Sequence, residues 1–207
     1  MKLKVISVSD HQVGPVSTTC PHCGNKGTFE TIGKDLHVGG HFFCGQRVCP
    51  DPECRGHLFV VVKDRDLVFQ HPPLRIAYNK QNIPVNIVKT FEEAVTCHST
   101  GCFVAAAIMI RRTLEEICEE RRATGKDLKD RIKSLKSKIV LPQELFEAMD
   151  ELRILGNDAA HIEAKSYDQI TKVEIDIAME FTVELLKALY QYTSLLARMR
   201  GLKKTTP

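Results

Sequence analysis

Four cysteines in two close pairs constrain the first third of this chain more than any other feature. Two residues separate Cys20 from Cys23, four separate Cys49 from Cys54, and 25 residues lie between the pairs. Zinc prefers four soft or borderline ligands in a tetrahedron, and two tight turns that each carry two thiolates supply them. The spacing therefore predicts one structural Zn²⁺ site, closed to substrate because thiolates fill every position.

The other cysteines and nearby histidines leave alternatives open. The chain has eight cysteines and no apolar run of signal-peptide length at its start, which favours a metal site over disulfides. Cys44 could replace Cys49 as a ligand, His22 and His41 are weaker candidates, and reduced cysteines without a metal are the remaining interpretation. Three further cysteines occupy apolar helical positions and are predicted to be small buried residues: Cys97, Cys102 and Cys118.

The residues around the cysteines have a strand-like pattern. Residues 1–12 alternate apolar and polar side chains, as a short edge strand does, and residues 58–62 and 67–70 predict a hairpin around the turn KDRD. The consecutive Pro72 and Pro73 disfavour continuation of helix or strand. We therefore predict two domains: residues 1–72, a β-rich zinc-ribbon-like module with little room for a core of its own, and residues 75–200, which are helical.

Helical periodicity dominates the rest of the chain. Apolar residues at helical spacing predict five segments: 84–97, 102–123, 128–137, one that begins at Pro142, and 167–200. In the last segment we expect the apolar side chains, Ile177, Phe181 and Leu196 among them, to face inward. The predicted fold class is mainly α, a helical bundle preceded by a small β-rich zinc ribbon.

Composition excludes some classes of protein. With 207 residues, 43% hydrophobic and 27% charged, the chain has the composition of an ordinary globular protein. No window approaches 18 uninterrupted apolar residues, so no membrane span is predicted, and the cytoplasm is the expected location. A net charge of +3 is too small to indicate nucleic-acid binding by itself.

The stretch ELRILGNDAAH, residues 151–161, carries the most chemistry in the helical part. Arg153, Asn157 and His161 are spaced by four, so on a helix a cation, an amide and an imidazole share one face. Gly156 costs about 1 kcal/mol relative to alanine inside a helix, and it indicates close approach of another backbone or of a substrate. The structural alternative is a salt bridge at Arg153 and a histidine packed between helices at His161.

Several segments of the helical part together resemble a known family. They are NIPVNIVKTFEEAV (82–95), AAA-x3-R-x2-LE-x-I (105–117), GKDLKDRIKSL (125–135) and R-x2-GN-x2-AH (153–161). With the preceding cysteine pairs, they resemble the uncharacterised domain family often found in restriction-endonuclease proteins, which belongs to the HEPN superfamily. The resemblance covers about residues 75–165 well and the cysteine pairs more loosely.

This resemblance implies a site and a chemistry. HEPN domains are helical bundles, typically paired, and many are metal-independent endoribonucleases whose arginine and histidine meet across a composite cleft. The resemblance implies those roles for Arg153 and His161, with Asn157 beside them. Imidazole can exchange the ribose 2′-hydroxyl proton near neutral pH, and guanidinium can hold the phosphate. Many active members have an arginine directly before the asparagine, where this chain has Gly156.

Other basic residues are candidates for contact with phosphates. Arg111 and Arg112 on the second helical segment, and Lys129 and Lys133 on the third, are predicted to bind nucleic acid. Surface ion pairs within a helix are the alternative for the two arginines, and a solvated helix face is the alternative for the two lysines.

Two functions follow from these patterns and the resemblance. The first is a HEPN-like domain that binds RNA, with or without cutting it, in bacterial defence or toxin-like regulation, and that acts as a homodimer on RNA or another nucleic acid. The second is a non-catalytic zinc-ribbon adaptor of a restriction or nucleic-acid-processing complex.

Overall fold

The computed structural model describes residues 5–8, 13–161 and 169–202. Contacts divide the chain into two compact units, Met1–Arg75 and Ile76–Pro207. Each unit has its own cluster of buried apolar side chains and is described by itself.

In the part of the first unit that the structure describes, six strands form an antiparallel sheet. They are β1 (Ser7–Val8), β2 (Val16–Thr19), β3 (Lys26–Gly39), β4 (Phe42–Val48), β5 (His57–Lys63) and β6 (Asp66–His71). The order across the sheet is β1-β3-β4-β5-β6, and β2 pairs with the first residues of β3. Strand β3, the longest at 14 residues, holds the sheet together because β1, β2 and β4 all pair with it.

Two hairpins of this sheet close through two-residue turns with positive φ at both positions. The turn between β3 and β4 is Gly40-His41, with φ of 54° and 63°, and that between β5 and β6 is Asp64-Arg65, with φ of 48° and 75°. Such turns match the right-handed twist of the flanking strands. The β5–β6 pairing confirms the hairpin predicted for residues 58–70.

A buried ion pair lies inside the first unit. Arg47 donates from both terminal nitrogens to the two carboxylate oxygens of Asp35, at 2.9 and 3.1 Å, and the side chains are only 1% and 0% exposed. The backbone N–H of Val13 also donates to Asp35, at 2.8 Å. Gly45 is required beside the pair, because a Cβ there would lie 2.0 Å from an oxygen of Asp35.

The predicted fold class, mainly α with a small ribbon, is wrong. Helices account for 47% of the chain and strands for 21%, and the strands form a sheet rather than a ribbon. This sheet has a buried core of its own: Val16, Cys20, Phe29, Cys49, Leu58, Val60 and Val62. The sequence indicates breaks at Gly33, Gly39 and Gly40, but β3 continues through Gly33, whose φ of +71° is accommodated where the β3–β4 register shifts.

The described residues of the second unit form six helices. They are α1 (Val85–Ser99), α2 (Phe103–Glu120), α3 (Leu128–Leu135), α4 (Gln143–Ala160), α5 (Lys172–Tyr190) and α6 (Tyr192–Gly201). Helix α2 is central because it contacts α1, α3, α4 and α5. Its buried face includes Ala107, Ile110, Leu114 and Ile117, each 0% exposed. In the described ranges, every helix falls short of the length and apolarity that crossing a bilayer requires.

The last predicted helix, 167–200, is two helices instead of one. Thr171 begins α5 with a capping box in which Glu174 reaches back to the Thr171 backbone, and the helical run is interrupted at Gln191. Residues 167 and 168 lie outside the described ranges. The expected inward positions Ile177, Phe181 and Leu196 are 52%, 43% and 49% exposed, so the prediction is wrong for these three. It is confirmed for Leu185 and Leu189, which are buried.

Replacing Asp35 by asparagine should destabilise the first unit by about 3–5 kcal/mol, because Arg47 would keep its buried charge without a counter-charge. The matched control is Asp64→Asn. Asp64 makes an exposed pair with His41 at 3.8 Å, and that change should cost less than about 1 kcal/mol. Calorimetric unfolding of the metal-loaded protein measures both, and equal effects would contradict the structural role of the buried pair.

Candidate functional site

Strand pairing explains how two distant cysteine pairs meet. Cys20 and Cys23 lie in the turn between β2 and β3, closed by the Thr19–Lys26 pairing, and Cys49 and Cys54 lie in the turn between β4 and β5. Because Glu30 of β3 pairs with Val48 of β4, both turns lie at the same end of the sheet. The 25 residues between the pairs are the outward and return strands of one hairpin.

The four sulfur atoms lie close enough together to hold one metal ion. Cys20 Sγ lies 3.8 Å from Cys54 Sγ, Cys23 Sγ lies 3.8 Å from Cys49 Sγ, and all four lie within 4.8 Å of one another. Metal–sulfur bonds of about 2.3 Å give a tetrahedron with edges of about 3.8 Å. A disulfide needs sulfur atoms about 2.05 Å apart, so these cysteines are free thiols. The four predicted ligands therefore lie together as a group that could hold a metal ion.

The thiols differ in how readily they lose a proton. At Cys20 burial raises the pKa, but backbone hydrogen bonds at Cys23 and His22 outweigh it and lower the pKa to about 7. At Cys49 burial, with a smaller contribution from the neighbouring thiols, raises the pKa to about 12. The Cys20 thiolate thus forms readily, whereas burial disfavours a thiolate at Cys49. A bound cation would offset the cost of burial and the charge of the neighbouring sulfur atoms, and so favour all four thiolates.

The weaker ligand candidates are engaged elsewhere. Cys44 lies within β4, opposite Leu36 and Val61, and is not among the four clustered thiols. His22 Nε2 lies 3.0 Å from the carbonyl oxygen of His57. Its ring covers Gly56, where a Cβ would come within 2.3 Å, so His22 joins the two turns through packing.

The second candidate site lies at the C-terminal half of α4. Arg153 Nε donates to Asp150 Oδ1 at 2.7 Å, and the Arg153 side chain is only 18% exposed. Asn157 is half-buried. His161 is exposed and caps the helix: its N–H donates to the carbonyl oxygen of Asn157 at 3.1 Å, but its backbone is extended. The predicted helical stripe therefore contains Arg153 and Asn157, while His161 begins the next segment.

Gly156 allows close packing of α4 on α2. A Cβ at this position would lie 2.4 Å from Arg111 Cβ and 3.0 Å from the carbonyl oxygen of Ala107. The close approach of another backbone, one of the two predicted reasons for this glycine, is confirmed. Arg111 crosses the contact, donating from Nη1 to the carbonyl oxygen of Arg153 at 3.3 Å while its Nε pairs with Glu115 at 3.2 Å.

The predicted phosphate contacts fall into two groups. Arg111 and Arg112 form ion pairs along α2, Arg112 with Glu116 at 3.5 Å. Lys129 and Lys133 are exposed on α3 and line a groove of about 370 Å³ between α3 and α4. The other side chains that line this groove are Ile132, Lys136, Phe146, Glu147, Asp150 and Glu151. Its two walls therefore carry opposite charges.

Asp150 is the site residue that our sequence reasoning missed. It lines the α3–α4 groove together with the lysines of α3, and it pairs with Arg153 of α4. A signal was present in the sequence, because an acid three residues before an arginine on a helix is a usual ion-pair spacing.

A sequence model of the family described as "Domain of unknown function (DUF4145)" matches residues 92–204, more than half of the chain. The chain belongs to the DUF4145 family. The matched region of this DUF4145 protein begins within α1 and includes the α4 site, whereas the four clustered cysteines lie outside it. No curated protein and no solved structure matches the chain.

Replacing Cys49 by serine should abolish tight metal binding and destabilise the first unit, because one of four ligands is lost. Elemental analysis of purified protein should find one metal ion per chain in the wild type and none in the variant. The matched controls are Cys44→Ser and Cys102→Ser, which should keep the metal. Since protons compete for thiolates, the stabilisation by metal should be present at neutral pH and lost on acidification. Metal retained in Cys49→Ser but lost in Cys44→Ser would contradict the assignment.

Gly156→Ala should destabilise the helical unit by about 1–2 kcal/mol, because the clash with α2 outweighs the better helix propensity of alanine. Gly201→Ala is the control, since a Cβ at the end of α6 has no heavy atom within 4 Å. Thermal unfolding followed by circular dichroism at 222 nm measures both. A stabilised Gly156→Ala protein would show that the two helices separate easily.

Proposed function

We propose that this chain is an RNA-binding protein whose helical unit is related to the HEPN superfamily, and that RNA contacts the C-terminal end of α4. The observation that carries the proposal is the exposed side chain of His161 at that end, directly after the helix that bears Arg153 and Asn157. Imidazole is suited to proton transfer near neutral pH, and an exposed one can reach a substrate.

The activity we propose for this site is metal-independent cleavage of RNA. The ribose 2′-oxygen attacks the adjacent phosphorus and its proton passes to neutral His161. The bond from phosphorus to the 5′-oxygen breaks, that oxygen takes a proton from water, and the proton held by His161 neutralises the hydroxide that is left. The products are a 2′,3′-cyclic phosphate and a 5′-hydroxyl. Arg153 would stabilise the phosphate charge once phosphate displaces Asp150 from it.

Zinc is the metal that we propose for the four thiols. Four sulfur donors in a tetrahedron suit zinc, and a site with every position filled by protein has none open for substrate. When bound, zinc would contribute folding free energy to the first unit. We assign the site a structural role and place the reaction on the helical unit.

A second candidate function is a non-catalytic adaptor in a restriction or nucleic-acid-processing complex. The observation that favours it is the internal pairing of the arginines: Arg153 with Asp150, Arg111 with Glu115 and Arg112 with Glu116. Paired guanidinium groups offer less charge to phosphate.

The cellular setting follows only from the family resemblance. On that basis we propose a homodimer that acts in the cytoplasm in bacterial defence or toxin-like regulation.

His161→Asn should reduce RNA cleavage by at least about 100-fold, because the proton-transfer group is removed, and should change RNA affinity only slightly. The assay uses zinc-loaded full-length protein in magnesium-free buffer with end-labelled single-stranded RNA, and it identifies the product ends. His41→Asn, the same change at an exposed histidine of the first unit, is the control.

Three outcomes distinguish the proposals. Cleavage that His161→Asn removes and His41→Asn retains supports the nuclease. RNA binding without cleavage by the wild type rejects the nuclease and retains RNA recognition. Neither binding nor cleavage rejects RNA as the ligand and favours the adaptor.

A further inference from the structure

Helix α6 carries an apolar stripe that nothing in the described chain covers. Tyr192, Leu195, Leu196 and Met199 follow the i, i+3, i+4, i+7 spacing of a single helix face. They are 54%, 50%, 49% and 70% exposed, and no residue of α6 is buried. An amphipathic helix in water gains free energy by burying such a face, so α6 has the surface of a helix that docks.

A groove of matching character lies between α4 and α5. Its volume is about 240 Å³, and its apolar lining consists of Ala148, Leu152, Leu155, Ile177, Ala178 and Phe181. Ile177 and Phe181 are 52% and 43% exposed, large values for side chains that line a groove. One unit therefore exposes both an apolar helix face and an apolar groove.

Helix α6 is too short to lie along this groove in its own chain. It follows α5 with only Gln191 outside the two helices, and it has 10 residues, a length of about 15 Å. Ile177 lies about 20 Å before the end of α5, and Glu174 lies further still. A helix folded straight back along α5 could reach Phe181 but neither Ile177 nor Glu174, so the occupant of the whole groove must come from elsewhere.

Charge favours a second α6 as that occupant. Glu151 and Glu174 lie at the groove, and Glu180 is exposed on α5. Helix α6 carries two arginines and no acid: Arg198 and Arg200. Opposite charges around an apolar contact select the partner and speed its association.

We propose that α6 of one copy docks in the α4–α5 groove of a second copy, and that the second copy returns the same contact. Reciprocal exchange gives a two-fold symmetric dimer in which every groove is filled, so the assembly closes at two chains. The inference deepens the homodimer part of the proposed function and rests on that part. It does not depend on RNA binding.

The first test measures oligomeric state by analytical ultracentrifugation of the full, zinc-loaded chain at micromolar concentrations. The wild type should sediment as a dimer, and Ile177→Glu in the groove and Leu196→Glu on α6 should each weaken association at least tenfold. Val140→Glu is the matched control, because Val140 is a fully exposed apolar residue outside both surfaces. Circular dichroism checks that every variant is folded. A monomeric wild type, or a dimer that neither variant weakens, overturns the inference.

The second test identifies what α6 touches. A photo-crosslinking benzoylphenylalanine is placed at position 196, and the products are mapped by mass spectrometry. Cross-links between two chains, to residues 148–155 or 174–181, support the exchange. Cross-links within one chain, or to another surface of the second chain, overturn it.

The outcomes separate this inference from RNA recognition. A monomeric wild type that binds RNA rejects the exchange and retains the RNA proposal. A dimer that shows the mapped contact but binds no RNA retains the exchange and rejects the RNA proposal.

Discussion

The antiparallel pairing of β3 with β4 is the interaction on which the first unit depends. It places the two cysteine turns at one end of the sheet and brings four sulfur atoms within 4.8 Å. The same two strands contribute the buried pair of Asp35 and Arg47, with Gly45 leaving room for the carboxylate. The register of this pairing therefore determines both the buried ion pair and the thiol cluster. A shift by one residue would turn the side chains of one strand to the opposite face of the sheet.

The second unit depends in a similar way on one close contact. Gly156 lets α4 approach the backbone of α2, and Arg111 crosses that contact to the carbonyl oxygen of Arg153. This contact positions the helix that ends at His161. Of the two reasons predicted for this glycine, another backbone or a substrate, the structure shows the first. The exposed imidazole of His161 lies at the end of the helix, where the backbone leaves the helical conformation.

Sequence reasoning reached the thiol cluster because ligand chemistry is local. Two short spacings identify four thiolates whichever sheet carries them, and the predicted set is the one that lies together. It misjudged the sheet because Gly33 was taken as a break, whereas a glycine with positive φ can also sit within a long strand. It also misjudged Ile177, Phe181 and Leu196, since an apolar stripe indicates that a face is to be buried but not which surface buries it.

The sequence by itself identified the two cysteine pairs, the β5–β6 hairpin, and most of the helices, because each depends on spacing within a short segment. Only the tertiary structure decided that Asp35 meets Arg47, that Asp150 holds Arg153 beside the lysines of α3, and that α6 separates from α5. These outcomes depend on which surfaces meet in space. A one-dimensional pattern shows what each surface offers, while strand register and helix packing select its partner.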